Sequence, residues 1–317
     1  MVINVLRKTF LSLISLAAIG IMLLSACMYF SYMPMWDMMN FHYPMSSYIA
    51  DCISQKTVPL WCPYSFLGSP IFADPSSGFW YPLNMLLYYL FGFNAYVLKV
   101  EYAIHLALAA IGMYKLTFYF TQHRNTAVVA AIVFPLSGFF VSSAHLFSFV
   151  YSMAWLPFVF YYYLRGCATK KYKYFIYGGI CMALCVLGGY IVFAILSAYL
   201  LAAMFVYYMF TQKDNARLLF LLSALMAITA AVLCSGYLYS VVVSLPLQAR
   251  ADGLDIKIAM DNPFSPQSLL SLILPFSTVA STPFFGTDIS MRSLYMGILL
   301  VMFLYNLFLF FPTNDKN

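Results

Sequence analysis

Asp37 stands in the stretch Pro34-Met35-Trp36-Asp37-Met38-Met39-Asn40-Phe41-His42-Tyr43-Pro44, directly after an apolar run from Phe10 to Tyr32. A carboxylate where a membrane helix meets water is a functional candidate by default. The chain offers no Ser-His-Asp order, phosphate-cradling glycine loop, dinucleotide fingerprint or paired zinc ligands to go with it. What remains is this one well-placed carboxylate, its neighbour His42, and a set of cations expected on the same side: Arg250, Lys257 and Arg292. Cleaving an ordinary glycosidic bond takes two carboxyl groups, because an alkoxide leaves badly and must be protonated. A phosphate leaves as a stable anion. One carboxylate acting as general base on an acceptor hydroxyl then suffices, provided Arg, Lys or a metal ion neutralises the departing phosphate. The chemistry implied is transfer of a sugar from a polyprenyl-phosphate carrier, with Asp37 as base and the three cations on the phosphate.

Other residues are candidates for holding substrate, each with a plainer alternative. His42 orients Asp37 or touches the acceptor, or is a satisfied loop histidine. Asp74 contacts substrate, or shapes its Pro-rich turn by side-chain hydrogen bonds. Glu101 and His105, four apart, share one helix face, where a hydrogen-bonded pair costs less than either group alone and lines a cavity or the bundle interior. Tyr81 belongs with Trp36, Trp61 and Trp80 to the aromatics that could stack on a sugar. Arg250 clamps a lipid phosphate through its planar fork, or pairs with Asp252 or Asp255.

These residues need a scaffold, and composition says which kind. With 317 residues, 64% hydrophobic and 8% charged, and a mean hydropathy of +0.85, the chain falls outside the soluble globular class, where about a quarter of residues are charged. It reads as a polytopic membrane protein. The opening run is expected to be a retained helix and not a cleaved signal, since it exceeds the usual apolar core of such a signal. The net charge of +6 reflects basic residues placed between apolar runs, which is topology and not nucleic-acid binding. Seven cysteines lack metal-ligand spacing, so no metal site of thiolates is expected, while Cys52 and Cys62 share a loop in which a disulfide could form.

Further apolar runs are read at 96–120, 126–145, 149–164, 174–189, 190–210, 218–245 and 291–311, giving about eight spans. The stretch 174–210 is too long for one helix and is divided at Gly188-Gly189. With a cytoplasmic start, Arg7, Lys8, Lys115, Arg124, Arg165, Lys170, Lys171, Lys173, Lys213, Arg217 and Lys316 lie inside; Lys56, Lys99, Arg250, Lys257 and Arg292 lie outside. That is the positive-inside bias. Within the first loop, Met38–Gln55 and Phe79–Phe91 read as helices lying on the membrane, the second with Pro82 at its start.

The pattern then resembles a known family. Asp37 after the first helix, Pro59-Leu60-Trp61-Cys62-Pro63, Phe66-Leu67-Gly68-Ser69-Pro70, Ala73-Asp74 and Phe79-Trp80-Tyr81-Pro82-Leu83-Asn84 look like the first-loop signature of YfhO-type bacterial membrane proteins. Leu136-Ser137-Gly138-Phe139, Trp155-Leu156-Pro157, Leu187-Gly188-Gly189-Tyr190 and Tyr295-Met296-Gly297 resemble weaker markers of that family in the same order. The resemblance implies the GT-C superfamily of glycosyltransferases that use polyprenyl-phosphate sugars, several of which decorate envelope polymers such as teichoic acids, and it places the key acid at Asp37. Many relatives carry His and Gln after the glycine where this chain has Gly189-Tyr190, and the usual family length is greater than 317 residues.

The expected fold is therefore an all-α integral membrane bundle of about eight helices, GT-C-like, with interfacial helices in the first outer loop. Its parts are a first helix (1–32), a first extracytoplasmic loop (33–95), a helical bundle (96–245), a second large extracytoplasmic loop (246–290), a last helix (291–311) and a cytoplasmic tail (312–317). The expected location is a bacterial cytoplasmic membrane with the N-terminus inside. Expected partners are the lipid-linked sugar, the bilayer, an envelope acceptor and a second chain supplying further helices, with no nucleic acid. Mg or Mn is the one cofactor that phosphate chemistry leaves open. Competing expectations are a transporter or flippase and a truncated, non-catalytic membrane partner.

Overall fold

In the computed structural model, the described residues are 36–65, 67–247, 253, 255–260, 265–272, 274, 277, 282–285 and 292–295. The expected first helix, all of the last helix but 292–295, the tail and Arg250 lie outside them.

The described chain begins with a π-helical turn, Met38–His42, that runs into α1 (Tyr43–Ser54). A short antiparallel hairpin follows, pairing β1 (Trp61–Cys62) with β2 (Ser69–Pro70). Two 3₁₀ turns, Ile71–Ala73 and Pro75–Ser77, lead to α2 (Pro82–Phe91). Its leading proline sits where a missing N–H costs nothing. Asn94 then starts α3 (Ala95–Thr121), its side chain accepting from the amides of Tyr96 and Val97 at 2.8 and 3.1 Å. The remaining helices are α4 (Arg124–Val133), α5 (Gly138–Ser142), α6 (Phe147–Thr169), α7 (Tyr172–Leu187), α8 (Ile191–Thr211), α9 (Ala216–Leu233), α10 (Ser235–Ser244), α11 (Ile256–Ala259) and α12 (Thr282–Phe285).

Five described segments are long and apolar enough to cross a membrane: Ala95–Thr121, Arg124–His145, Phe147–Thr169, Ile191–Thr211 and Lys213–Leu233. Tyr172–Leu187 is apolar but shorter. The protein is all-α and membrane-embedded, and five such segments stand against the eight spans expected. Two expected spans are interrupted. The run at 126–145 leaves helix after Val133 and re-enters it at Gly138, and the run at 218–245 turns at Cys234. The turn at Cys234 leads directly to Gly236, which lies under the Trp80 ring so closely that a Cβ there would come within 2.8 Å of it.

The chain divides into two compact units. The first comprises 1–132 and 144–251. One of its cores joins Phe158, Val159, Tyr163 and Cys167 of α6 to Phe175 and Cys181 of α7 and to Leu219, Leu222 and Met226 of α9. A second core joins Met45, Ile49 and Ala50 of α1 to Cys62, Ile71, Leu87, Tyr88 and Val97, and so holds the first-loop helices and hairpin against the start of α3. Cys52 and Cys62 are both buried free thiols, and no disulfide joins them. The expected division at Gly188-Gly189 is found: α7 ends there, Gly189 takes φ +101°, and the Tyr190 amide donates to Ser152 Oγ of α6 at 3.2 Å.

The second unit comprises 133–143 and 252–317. In it the Gly138 amide donates to the Tyr295 carbonyl, Ser271 Oγ donates to the Arg292 carbonyl at 3.1 Å, and the Leu294 amide donates to Ser271 Oγ at 2.9 Å.

Candidate functional site

Asp37 is exposed, and its carboxylate does not cap the helix that it opens. It lies between two unusual pieces of backbone. Trp36 before it takes φ +66°, a left-handed conformation costly for a bulky residue, while its carbonyl accepts from the amides of Met39 and Asn40 at 2.9 and 2.8 Å. After it comes the π-helical turn, a rare form that recurs at functional sites. Local strain of both kinds persists only where surrounding structure imposes it.

His42 closes that turn and is buried, its ring 5.3 Å from Phe41 and 6.2 Å from Phe147. Burial, with a smaller contribution from the nearby His145, lowers its pKa to about 4. His145, which sequence reasoning passed over, also meets the Trp36 ring edge-on at 5.9 Å. His42 is thus a core histidine that fixes the turn carrying Asp37. The unfolded chain binds a proton on His42 near pH 6.5 and the folded chain only near 4, so stability is complete above 6.5 and falls as pH drops through that window. In thermal unfolding in detergent, the stability of the wild type relative to His42→Leu is expected to fall by roughly 3 kcal/mol between pH 8 and 4.5, the difference isolating His42 from other titrating groups.

Glu101, His105 and Tyr81 come together as expected, but as a sealed network. Each is fully buried. The sequence reading paired the Glu101 and His105 side chains; the structure instead has His105 Nδ1–H donate to the main-chain carbonyl of Glu101 at 2.6 Å. That bond fixes the tautomer and leaves Nε2 to accept from the Tyr81 hydroxyl at 2.7 Å, which in turn accepts from Trp155 Nε1–H at 2.7 Å. The hydrogen bonds therefore run one way, Trp155 to Tyr81 to His105 to the Glu101 carbonyl. The Glu101 carboxyl looks elsewhere: Tyr151 and Tyr88 both donate to Oε2, at 3.0 and 3.5 Å, and Oε1 has no hydrogen-bond partner among the described residues. Tyr81 stacks on Tyr151 with centroids 5.1 Å apart and 9° between planes. That face of Tyr81 is closed to a sugar ring, and burial raises the pKa of its hydroxyl.

Asp74 takes the turn-shaping role. Its carboxylate accepts from the Ser76 amide at 2.8 Å, burial raising its pKa against the lowering effect of that bond. Ser77 Oγ donates to the Asp74 carbonyl at 2.8 Å, and Trp80 Nε1 donates to the Phe72 carbonyl at 2.8 Å. Of the proposed phosphate cations, Lys257 is exposed in α11, and Arg292 is buried with its guanidinium 5.2 Å from the centre of the Phe285 ring. Both belong to the second unit, and Arg250 lies outside the described residues. Among the described residues no cluster of His, Cys, Asp and Glu could hold a metal ion.

Sequence reasoning missed Tyr88 and Tyr151 as donors to Glu101, and Trp155 as the donor to Tyr81. The available signal was that two ionisable groups on one membrane helix require polar partners on its neighbours, and Tyr151 and Trp155 share a face of the next long helix. Comparison with known proteins returns nothing similar to this chain: no family model, no curated protein and no solved structure matches.

Proposed function

We propose that the protein is a membrane glycosyltransferase, moving a sugar from a polyprenyl-phosphate donor to an acceptor of the cell envelope, with Asp37 as general base. The observation that carries this reading is Asp37 itself, an exposed and uncapped carboxylate held between a left-handed Trp36 and a π-helical turn. A merely structural aspartate at a helix start would cap it. In this reading α1 and α2 lie on the outer face as interfacial helices, the N-terminus is cytoplasmic, and the bundle is GT-C-like with about eight spans. The resemblance of the first loop to YfhO-type proteins supports it.

The test is sugar transfer by purified, folded full-length chain supplied with a polyprenyl-phosphate sugar donor. Asp37→Asn is expected to reduce turnover by roughly 10²–10⁴-fold, the usual contribution of a positioned base, with melting temperature unchanged. Wild-type turnover by the Asn variant would remove the base from the proposal. A second reading, transport, draws on the buried Glu101 and His105, since ionisable groups inside spans mark substrate or proton paths in transporters. Substrate uptake into protein-loaded vesicles without covalent transfer would favour it.

A further inference from the structure

The hairpin that joins α1 to α2 is built to hold apolar groups outward. Val58, Leu60, Trp61, Tyr64 and Leu67 are all exposed within ten residues, Trp61 by 55% and Tyr64 by 83%. Solvent-facing hairpins ordinarily carry polar residues in these places. The turn is also strained for its sequence. Leu67, fully exposed, takes φ +63°, and Gly68 follows at φ +114°. Leu67 gains no burial within the chain to offset a left-handed backbone. Gly68 is required twice over, by its φ and because a Cβ would come within 2.5 Å of the Trp61 ring that covers it.

The base of the hairpin is fixed in place. Tyr48 of α1 donates to the Trp61 carbonyl at 2.8 Å, and the Ile71 amide donates to the Leu60 carbonyl at 3.0 Å. Cys62 and Ile71 pack in one core with Leu87 and Tyr88 of α2 and with Val97 in the first turn of α3. Because α3 is long and apolar enough to cross a membrane, that first turn lies where the span meets water. The surroundings have the character of that boundary: Tyr89, Phe91 and Tyr96 are exposed at the same end, with Lys99 Nζ 5.3 Å from the centre of the Tyr96 ring. Between Lys56 and Asp74 the chain holds no charged residue and no Asn, Gln or His, and its side-chain hydroxyls are confined to Thr57, Tyr64, Ser65 and Ser69, so the hairpin is poor in the groups that form a polar protein rim. Leu, Trp and Tyr with a neighbouring Lys is the composition that settles into the headgroup and upper acyl region of a bilayer.

We propose that the hairpin, through Trp61, Tyr64 and Leu67, inserts into the lipid leaflet at the Ala95 end of α3 and anchors the first loop at the membrane surface. This stands independently of the transferase reading. The test uses the full-length chain in nanodiscs with an environment-sensitive fluorophore on Leu67→Cys. The wild-type chain, whose six described cysteines are buried, sets the labelling blank. Lipids carrying a nitroxide at a shallow acyl position are expected to quench the label at least twofold, while aqueous iodide barely reaches it. Iodide quenching close to that of free dye, with no loss to the nitroxide lipid, would overturn the proposal and assign the surface to a water-borne partner. Tyr64→Cys, labelled in the same way, gives the same reading should the first variant not fold.

Discussion

Gly189→Ala is expected to destabilise the protein by about 3 kcal/mol or more, in melts of the purified chain in detergent. Two costs add there. An L side chain at φ +101° is strained, and its Cβ would stand 2.5 Å from the Pro75 carbonyl oxygen, a backbone atom that cannot swing aside. Gly92→Ala separates the two. Gly92 also has a positive φ, +67°, with ψ −160°, a region essentially confined to glycine, yet nothing lies within 4 Å of a Cβ built on it, so only the conformational cost of about 1–3 kcal/mol is expected. Equal losses in the two variants would mean that the 3₁₀ turn at Pro75 moves freely away from the α7–α8 break, and that the first loop is not seated on the bundle there.

Tyr81→Phe is the second large effect. The Tyr81 oxygen is the middle of a one-way chain, accepting from the half-buried Trp155 and donating to the fully buried His105. Deleting it strands a fully buried acceptor on His105, at a cost of about 1–3 kcal/mol, and a half-buried donor on Trp155 at a smaller one, so a loss of roughly 2–4 kcal/mol is expected. Trp155→Phe removes only the first donor and leaves the Tyr81 to His105 bond intact. Its polar cost is accordingly the smaller, and unfolding measurements on both variants should place Tyr81→Phe below Trp155→Phe. The opposite order would show that the indole's packing outweighs its hydrogen bond.

Much of the frame was legible in the chain, and for identifiable reasons. Helices α3, α6 and α8 fall within a few residues of the apolar runs read at 96–120, 149–164 and 190–210, because hydropathy over a span-length window is a strong signal. Gly188-Gly189 was readable as a break because glycine alone takes the left-handed turn without strain. The interruptions at Phe134–Ser137 and Cys234 were passed over because hydropathy does not register backbone direction, although Pro135 with Ser137-Gly138, and Ser235-Gly236, were breaker signals in the sequence. In the site, spacing placed Glu101 and His105 on one face correctly, but a shared face does not make a bond. Each reaches partners supplied by other elements, and long-range pairing of that kind leaves no local pattern. The left-handed Trp36 was equally invisible, because nothing in the residue type announces it.

The direction of the buried network has a consequence for how the protein is made. Helices enter a membrane in the order of synthesis, and α3 carries its ionisable residues in ahead of half their partners. Tyr81 and Tyr88 precede Glu101 in the chain, whereas Tyr151 follows it by fifty residues. When α3 first emerges, His105 can already accept from Tyr81 and the Glu101 carboxyl from Tyr88, while Tyr151 and Trp155 are still unmade. The hydroxyls that lead α3 in the chain thus act as its escort during insertion. A nascent chain arrested between Thr121 and Phe147 would have the Tyr88 donor to the Glu101 carboxyl and not yet the Tyr151 donor, leaving an incompletely satisfied polar group at membrane depth.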